Sequence, residues 1–373
     1  MKKKTAAIVQ TALFLAFLGV LFVLGLVLPK KSFSERENRA LQTAPKFTFS
    51  ALFSGKFTTA YEDFITDQFP LRDGWTTLKA GAELAAGKDA NNGIYLCEGE
   101  TLLEPYTAPA QDDLDFNLDA VNALAENVDV PVYFALIPSA AEIDRDLLPD
   151  GAPNDSQLET IDYAYGYVAA QTVDVASALA AHRDEPIFFR TDHHWTALGA
   201  YYGYAALASA MGFDAVPLGD YSETVVSEEF YGTTYSSSGF SWVKPDSIST
   251  FVPDTGVTVT NYPQGAAVPG KLYDESFLAV KDKYSYFYGG NTPLLTVTTE
   301  HTDAPRLLIL RDSYMDTLSP YLTAHFSELH ILDLRYYRSS IKAYAAEHDI
   351  DAVLVCYSVK NFAEDNNLFL AGY

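Results

Sequence analysis

The chain has 373 residues, of which 48% are hydrophobic, and it carries 25 lysines and arginines against 49 aspartates and glutamates. The apolar content excludes a globally disordered protein, and a net charge of −24 argues against nucleic-acid binding, which requires a basic surface. We interpret the excess of acidic residues as a solubilising surface.

The N-terminal segment predicts a membrane anchor. Thr5–Pro29 contains no charged side chain and is flanked by lysines at positions 2–4, 30 and 31. A helix of this length exceeds the roughly 30 Å hydrocarbon core of a bilayer, and no small-residue cleavage site precedes the next charged stretch. The larger basic cluster places the N-terminus in the cytoplasm. We therefore expect residues 1–31 to be a cytoplasmic tail and a retained single-pass anchor.

This topology places the rest of the chain outside the cytoplasmic membrane, without access to cytosolic ATP, NADH or acetyl-CoA. Residues 32–60 are polar and irregular, and we interpret them as a juxtamembrane linker. One extracytoplasmic domain is expected over residues 61–373, a length suited to a single large domain. Its first part shows apolar residues at helical spacing, and turn signals at Asn92-Gly93 and Glu98-Gly99 then predict a hairpin.

From about residue 111 predicted helices and strands alternate. Helices are predicted at "DDLDFNLDAVNALAENV", "SQLETIDYAYGYVAAQ", "TALGAYYGYAALASAMG" and "SSIKAYAAEHD", and strands at "VPVYFALIP", "TVDVAS", "EPIFFRT", "RLLILRDS", "ELHILDLRYY" and "DAVLVCYSV". Residues 220–300 are rich in Ser, Thr, Tyr and Gly, and we expect an irregular β-rich insertion there. The alternation predicts an α/β fold with a mainly parallel sheet covered on both faces. In such sheets ligands bind at the carboxyl ends of the strands.

Ser313 lies at such an end, between the predicted strand "RLLILRD" and a predicted helix. The first N–H groups of a helix are unpaired and face any negative charge that develops nearby. For acyl transfer they provide part of an oxyanion hole. A serine in this position is also a common helix N-cap, so Ser313 alone does not identify a catalytic site.

The segment "RTDHHW" contains the two partners that a serine nucleophile needs, a base and a group that orients the base. Asp192 and His194 are two residues apart in a predicted loop. At that spacing the carboxylate can accept a hydrogen bond from the imidazole Nδ1–H and leave Nε2 free to face Ser313. We expect His193 to point elsewhere and Trp195 to pack and hold the loop.

Gly289-Gly290-Asn291 is a candidate for the second part of an oxyanion hole. Adjacent glycines let a backbone approach a ligand closely, and the amide of Asn291 can donate a hydrogen bond to an oxyanion. The same three residues are also typical of a plain turn.

The two cysteines have no predicted catalytic role. Cys97 and Cys356 allow one disulfide in an oxidising compartment. However, Cys356 lies in the apolar run "DAVLVCYSV", where a buried free thiol fits equally well.

Several motifs in the same order resemble the bacterial DHHW family: "RENRAL", "DQFPLRD", "LIPSAAEI", "TDHHWT", "FYGTTYSSSG", "YFYGGN", "LLILRDSY" and "LDLRYY". That family is related to the SGNH-hydrolase-like alginate O-acetyltransferases, the AlgX- and AlgJ-like proteins. The resemblance covers nearly the whole chain and implies an SGNH-like three-layer α/β/α sandwich. It also implies that Ser313 is the nucleophile, His194 the base and Asp192 the orienting acid. Many relatives have Gly-Asp-Ser where this chain has Arg311-Asp312-Ser313, so Arg311 either binds substrate or simply reaches solvent.

The resemblance further implies a membrane-anchored extracytoplasmic O-acetyltransferase that modifies a cell-surface or exported polysaccharide. Its implied partner is a multispanning membrane-bound O-acyltransferase that supplies acetyl groups, and no cofactor is expected. Tyr288, Tyr314 and Tyr336 lie near the motifs and are candidates to stack on sugars. With 25 tyrosines in the chain, ordinary packing is the simpler explanation for any one of them.

Three alternatives stay open at this point. The same triad would make an esterase if water replaced the sugar hydroxyl. A metal-dependent phosphoesterase using Asp192, His193 and His194 would need further ligands from other strand ends. Since the remaining histidines show no paired ligand spacing, no metal is expected. A non-catalytic polysaccharide-biosynthesis scaffold is consistent with Arg311 in place of glycine.

Overall fold

The computed structural model describes residues 2–372, which divide into two compact units. The first unit extends to Lys88 and includes Gly239–Ser241, and the second contains the other described residues. The helices and strands of the first unit are α1 (Lys2–Val27), β1 (Phe33–Ser34), β2 (Arg39–Ala40), α2 (Phe49–Phe53), α3 (Lys56–Asp67) and α4 (Arg72–Ala85).

The first unit begins with an apolar helix, and Lys3–Val27 within it is long and apolar enough to cross a membrane. Residues 32–60 contain β1, β2, α2 and the first turn of α3. Arg39 of β2 is paired with the carboxylate of Asp67 at the end of α3, at 2.6 Å. That hydrogen bond to Arg39 lowers the pKa of Asp67 below its usual range. The pair therefore joins the short β1–β2 ladder to the end of α3.

The second unit contains the remaining strands and helices. They are β3 (Ala90–Asn91), β4 (Ile94–Leu96), β5 (Leu102–Leu103), α5 (Gln111–Asn127), β6 (Val132–Ile137), α6 (Ala140–Ile143), α7 (Gln157–Tyr167), β7 (Gln171–Val173), α8 (Val175–Ala180), α9 (Ala197–Met211), β8 (Thr224–Phe230), α10 (Thr233–Ser238), β9 (Asp246–Thr250), β10 (Val257–Asn261), β11 (Val268–Pro269), β12 (Leu294–Thr299), β13 (Arg306–Arg311), α11 (Met315–Leu322), β14 (Glu328–Leu332), α12 (Ile341–Glu347), β15 (Ala352–Ser358) and α13 (Val359–Glu364).

Among the described residues, the central sheet has eight strands in the order β11-β10-β12-β14-β13-β15-β6-β7. The strands from β14 to β7 are parallel, and β12, β10 and β11 extend one edge in antiparallel pairs. Every residue of β6 is buried, as expected for a strand covered on both faces. The predicted α/β fold with a mainly parallel sheet is confirmed.

Two apolar cores lie on opposite faces of this sheet. Along β13, Leu307 and Ile309 pack in one core with residues of α9 and α11. Leu308 and Leu310 pack in the other core with residues of α5 and α12. This alternation follows from the two-residue period of a strand, and it produces the three-layer sandwich that the sequence predicts.

Two strand predictions need correction. The segment "TVDVAS" contains only the end of β7 and then the start of α8. The segment "EPIFFRT" before the "DHHW" motif is a loop in which Phe188 forms a single bridge with Trp195. Its backbone pairs with its own continuation: Phe189 N donates to His194 O at 3.2 Å, and Thr196 N donates to Ile187 O at 2.9 Å. The apolar run reflects the burial of these side chains in the core, because a short apolar run alone does not separate a strand from other buried segments.

The β-rich segment over residues 220–300 is partly built into the central sheet and is not a separate insertion. It contains the β8–β9 ladder and helix α10, and its strands β10, β11 and β12 belong to the central sheet.

Both cysteines are buried free thiols in this structure. Burial raises the pKa of the Cys97 thiol to about 11 and also raises the pKa of the Cys356 thiol. The neutral thiol form is poorly nucleophilic, so neither side chain is suited to catalysis.

Gly199, in the first turn of α9, has no room for a side chain. A Cβ there would overlap the carbonyl oxygen of Ile187 and lie 3.0 Å from Trp195 Cβ. We predict that Gly199→Ala lowers the free energy of unfolding by about 1–3 kcal/mol through overpacking, measured by urea denaturation. The control is Gly166→Ala in α7, where nothing lies within 4 Å of a new Cβ. Equal denaturation midpoints for the two variants would contradict this packing.

Candidate active site

Ser313, His194 and Asp192 form one continuous hydrogen-bonded chain. Ser313 Oγ lies 2.7 Å from His194 Nε2, and His194 Nδ1 lies 2.5 Å from Asp192 Oδ1. Ser313 is half-buried between the end of β13 and the start of α11, whereas Asp192 and His194 are buried. The three side chains therefore lie in the order that a serine nucleophile, its base and the base's orienting acid require.

The carboxylate of Asp192 determines the tautomer of His194. Burial opposes ionisation of Asp192, but the adjacent imidazoles of His193 and His194 hold its pKa below the usual range. An ionised carboxylate only accepts hydrogen bonds, so His194 Nδ1 carries the proton and Nε2 presents a lone pair to the Ser313 hydroxyl. This arrangement can remove a proton from Ser313.

The opposite oxygen of Asp192 is held by the start of α10. Thr233 donates to Asp192 Oδ2 from its backbone N at 2.7 Å and from its Oγ1 at 3.0 Å. A Cβ on the preceding residue, Gly232, would overlap the Asp192 carboxyl group. The motif "FYGTTYSSSG" contains Gly232 and Thr233, but no sequence pattern predicts a role for either residue.

Tyr284 covers the His194 ring. The two rings stack with centroids 3.8 Å apart and planes 8° apart, and the Tyr284 hydroxyl donates to the Ser313 carbonyl oxygen at 3.0 Å. Tyr284 thus restrains both His194 and the backbone of Ser313. No sequence pattern distinguishes Tyr284 from the other tyrosines.

Trp195 packs and holds the loop, as its position in the motif suggests. It is fully buried, and its Nε1–H donates to Tyr314 O at 2.9 Å and Thr317 Oγ1 at 2.8 Å. In return the Tyr314 hydroxyl donates to the carbonyl oxygen of His193. These bonds connect the "DHHW" loop to the start of α11.

The tyrosines considered for sugar stacking have different environments. Tyr288 is buried, and its hydroxyl lies 2.8 Å from Ser319 Oγ, so it packs in the core. Tyr336 is exposed. Tyr314 is buried, but its side chain also lines a cleft beside His193.

Arg311 does not reach solvent, so that alternative is wrong. Its side chain is 1% exposed, and its Nη1 lies 3.1 Å from Asp316 Oδ1 in the first turn of α11. The same nitrogen donates to Asn291 Oδ1 at 3.1 Å. Arg311 thus links the residue predicted for the oxyanion hole to the helix that follows Ser313. Gly290 has φ = 93°, and no hydrogen bond joins Gly290 or Asn291 to Ser313 among residues 2–372.

A cleft of about 220 Å³ opens beside His193. We call it the His193 cleft. Its walls come from the loops after β5 and β6 and from the end of β15 with α13, and they are formed by Leu102, Leu103, Glu104, Pro105, Tyr106, Ser139, Ala140, Ala141, Gln157, Asp192, His193, Thr234, Tyr314, Ser358, Lys360, Asn361 and Glu364. The cleft therefore lies at the carboxyl ends of parallel strands, where the sequence predicts the site.

The motif also brings potential metal ligands together. Ligand atoms of Asp192, His193 and His194 all lie within 4.8 Å of one another. However, His194 Nδ1 is bonded to Asp192 and Nε2 to Ser313. A metal bound to His194 would displace one of these two bonds and interrupt the chain to Ser313.

The sequence and the fold are similar to known proteins. The family model described as DHHW protein matches residues 111–332. The probable alginate O-acetylase AlgJ of Pseudomonas syringae pv. tomato is 25% identical over 231 residues, which cover 59% of this chain and 56% of that protein. The chain thus spans about half the length of this curated relative.

Two solved structures share the fold. A DHHW family protein from Eubacterium siraeum superposes with a TM-score of 0.66 and 26% identity, covering 75% of this chain and 95% of that one. PatB1 of Bacillus cereus, in a structure with a sulfonyl adduct, has a TM-score of 0.62 and 22% identity, covering 74% of this chain and 96% of that one.

The Arg311–Asp316 pair leads to a stability prediction. Arg311→Met leaves a buried carboxylate without its cation, and we expect it to lower the free energy of unfolding by about 3–5 kcal/mol at about pH 8, measured by urea denaturation. Adding Asp316→Asn removes the uncompensated charge and should recover most of this loss. A double variant no more stable than Arg311→Met would contradict the pairing.

The same pair predicts a pH dependence. Burial raises the pKa of Asp316 to about 6, above its value in the unfolded chain. A raised pKa favours folding at low pH, and this contribution is lost as the pH rises through the folded-state value. The deficit of Arg311→Met should therefore shrink between about pH 8 and about pH 5, whereas a constant deficit would contradict ionisation of Asp316.

Proposed function

Because the chain belongs to the DHHW family, we propose that it is an extracytoplasmic O-acetyltransferase that acts through Ser313, His194 and Asp192. The observation that carries this proposal is the chain from Ser313 Oγ to His194 Nε2, at 2.7 Å, and from His194 Nδ1 to Asp192 Oδ1, at 2.5 Å. The name of the Pseudomonas relative, an O-acetylase, supports the reaction class.

In the first half-reaction, Ser313 Oγ attacks the carbonyl carbon of an acetyl ester while His194 Nε2 takes the hydroxyl proton. The bond to the leaving alcohol breaks, and that alcohol receives the proton from His194. The imidazolium formed in between is stabilised by the Asp192 carboxylate. The product is an acetyl ester on Ser313.

The developing oxyanion needs hydrogen-bond donors. No hydrogen bond engages the Ser313 backbone N–H among the described residues, so this group is free to donate. For the second donor we propose the amide of Asn291, beside Gly290. Since Arg311 holds Asn291 Oδ1, the Nδ2 hydrogens are left for substrate.

In the second half-reaction, a sugar hydroxyl gives its proton to His194 Nε2 and attacks the acetyl carbonyl. The bond to Ser313 Oγ breaks, and the proton returns from His194 to Ser313. Water in place of the sugar would give acetate and an esterase, so acceptor binding decides the outcome.

We further propose that α1 anchors the protein in the cell membrane, with its N-terminus in the cytoplasm and the second unit outside. A multispanning membrane-bound O-acyltransferase would then supply acetyl groups, and an exported or cell-surface polysaccharide would accept them. The length and apolarity of Lys3–Val27 support the anchor.

Substitution of the triad tests the reaction. With full-length protein in detergent, 4-nitrophenyl acetate as donor and a panel of oligosaccharides as acceptors, we expect Ser313→Ala and His194→Ala to lower kcat/KM at least about 10³-fold. The double variant should be no slower than either single variant, because the residues act as a unit. Ser222→Ala, at an exposed serine, is the control and should be unchanged.

Two results would contradict the proposal. Full activity of Ser313→Ala would reject the nucleophile. Acetate as the sole product with every acceptor would assign the protein as an esterase.

The topology has its own test. In intact cells, a membrane-impermeant maleimide should label Asp303→Cys, an exposed position of the second unit, but should not label Lys3→Cys until the cells are lysed. The native cysteines are buried and should give little background. Labelling of Lys3→Cys but not Asp303→Cys in intact cells would reverse the orientation.

A further inference from the structure

The neighbours of His193, the first histidine of the motif, determine which of its ring nitrogens carries the proton. Its Nδ1 lies 2.6 Å from Thr233 Oγ1, and Thr233 Oγ1 lies 3.0 Å from Asp192 Oδ2. A hydroxyl has one proton, and an ionised carboxylate accepts but does not donate. Thr233 therefore donates to Asp192 and accepts from His193, so the proton of the neutral His193 ring is on Nδ1.

The other nitrogen of the ring then carries a lone pair. His193 Nε2 has no hydrogen-bond partner within residues 2–372, the side chain is 36% exposed, and the ring lines the His193 cleft. In its neutral form the ring is thus a hydrogen-bond acceptor next to a cavity.

The position of this acceptor relates it to the reaction. The centroids of the His193 and His194 rings are 3.9 Å apart, and their planes are inclined by 37°. His194 is the base that faces Ser313 Oγ. His194 and Ser313 do not line the His193 cleft, but the ring contact places a hydroxyl that is bound to the His193 ring close to the base.

We propose that His193 is a positioning residue for the acetyl acceptor: its Nε2 accepts a hydrogen bond from the hydroxyl adjacent to the one that is acetylated. The protein is accordingly selective for acceptors with vicinal hydroxyl groups, which carbohydrates provide. This inference rests on the proposed acetyltransferase function. His193 does not touch the acetyl group, and it acts by holding the second hydroxyl.

Two variants of His193 separate its two nitrogens. His193→Asn retains an N–H donor near the place of Nδ1, which keeps the bond to Thr233, but it has nothing at the place of Nε2. His193→Gln places an amide oxygen near Nε2 and loses the donor to Thr233. If His193 binds the acceptor, His193→Gln should retain the selectivity for vicinal hydroxyls that His193→Asn loses. If His193 has a purely structural role, His193→Asn should retain this selectivity and His193→Gln should lose it.

The experiment measures how the acetyl-enzyme partitions between alcohols and water. Full-length protein is acetylated with 4-nitrophenyl acetate in the presence of ethane-1,2-diol or ethanol, and acetyl ester and free acetate are quantified. We expect wild type to favour the diol over ethanol by about tenfold, the worth of one hydrogen bond in a partly exposed site. In His193→Asn this preference should fall to within about twofold, and in His193→Gln most of it should return.

The dependence of 4-nitrophenol release on Ser313 distinguishes the two levels of the proposal. If Ser313→Ala releases 4-nitrophenol as fast as wild type, the proposed function fails. If the release depends on Ser313 and His193→Asn has the same diol preference as wild type, the role of His193 is overturned and the proposed function stands.

Nitrogen NMR of ¹⁵N-histidine-labelled protein gives a test that needs no acceptor. The His193 signals, assigned through their loss in His193→Asn, should show a neutral ring with its proton on Nδ1 at about pH 8. Thr233→Val, which removes the accepting hydroxyl, should abolish this tautomer preference. A proton on Nε2, or a charged ring at this pH, would overturn the inference.

Discussion

The buried carboxylate of Asp192 is the interaction on which the rest of the site depends. Its Oδ1 accepts from the backbone N and the Nδ1 of His194, at 3.0 and 2.5 Å, and its Oδ2 accepts from the backbone N and the Oγ1 of Thr233, at 2.7 and 3.0 Å. A buried charge is stable only when it is paired and hydrogen-bonded. Forming the carboxylate's four bonds therefore requires the "DHHW" loop and the start of α10 to be in place together. The same bonds assign a proton to each of the two histidines.

Ser313 meets this loop because the two residues before it are anchored on opposite sides of the sheet. Asp312 Oδ2 accepts from the backbone N of Ser358, at 2.8 Å, and from Asn361 Nδ2, also at 2.8 Å. Arg311 lies on the other side and is held by Asp316. With both neighbours held, Ser313 is the half-buried residue left at the end of β13. The strand thus positions the nucleophile, and the carboxylate positions the base.

The sequence predicts those features of the fold and the site that depend only on residues close to one another in the chain. The apolar run of β6, the Ser313 position after β13 and the spacing between Asp192 and His194 all depend on neighbours within a few residues. Gly232, Thr233 and Tyr284 are distant in sequence from the motif, and no local period marks them. The burial of Arg311 was not predictable either, because its cation is compensated by Asp316 only once α11 forms. The role of His193 likewise depends on the hydroxyl of Thr233, which is distant in sequence and donates its hydrogen bond to Asp192.

In the proposed reaction an acetyl group passes through Ser313. This intermediate can be trapped by stopping the reaction with 4-nitrophenyl acetate in acid, within the first turnover, and mapping the modified peptide by mass spectrometry. We expect one added acetyl group on Ser313 that disappears faster when an oligosaccharide acceptor is added. Turnover without an acetylated Ser313, or an acetyl group on another residue that turns over at the catalytic rate, would contradict the proposed reaction.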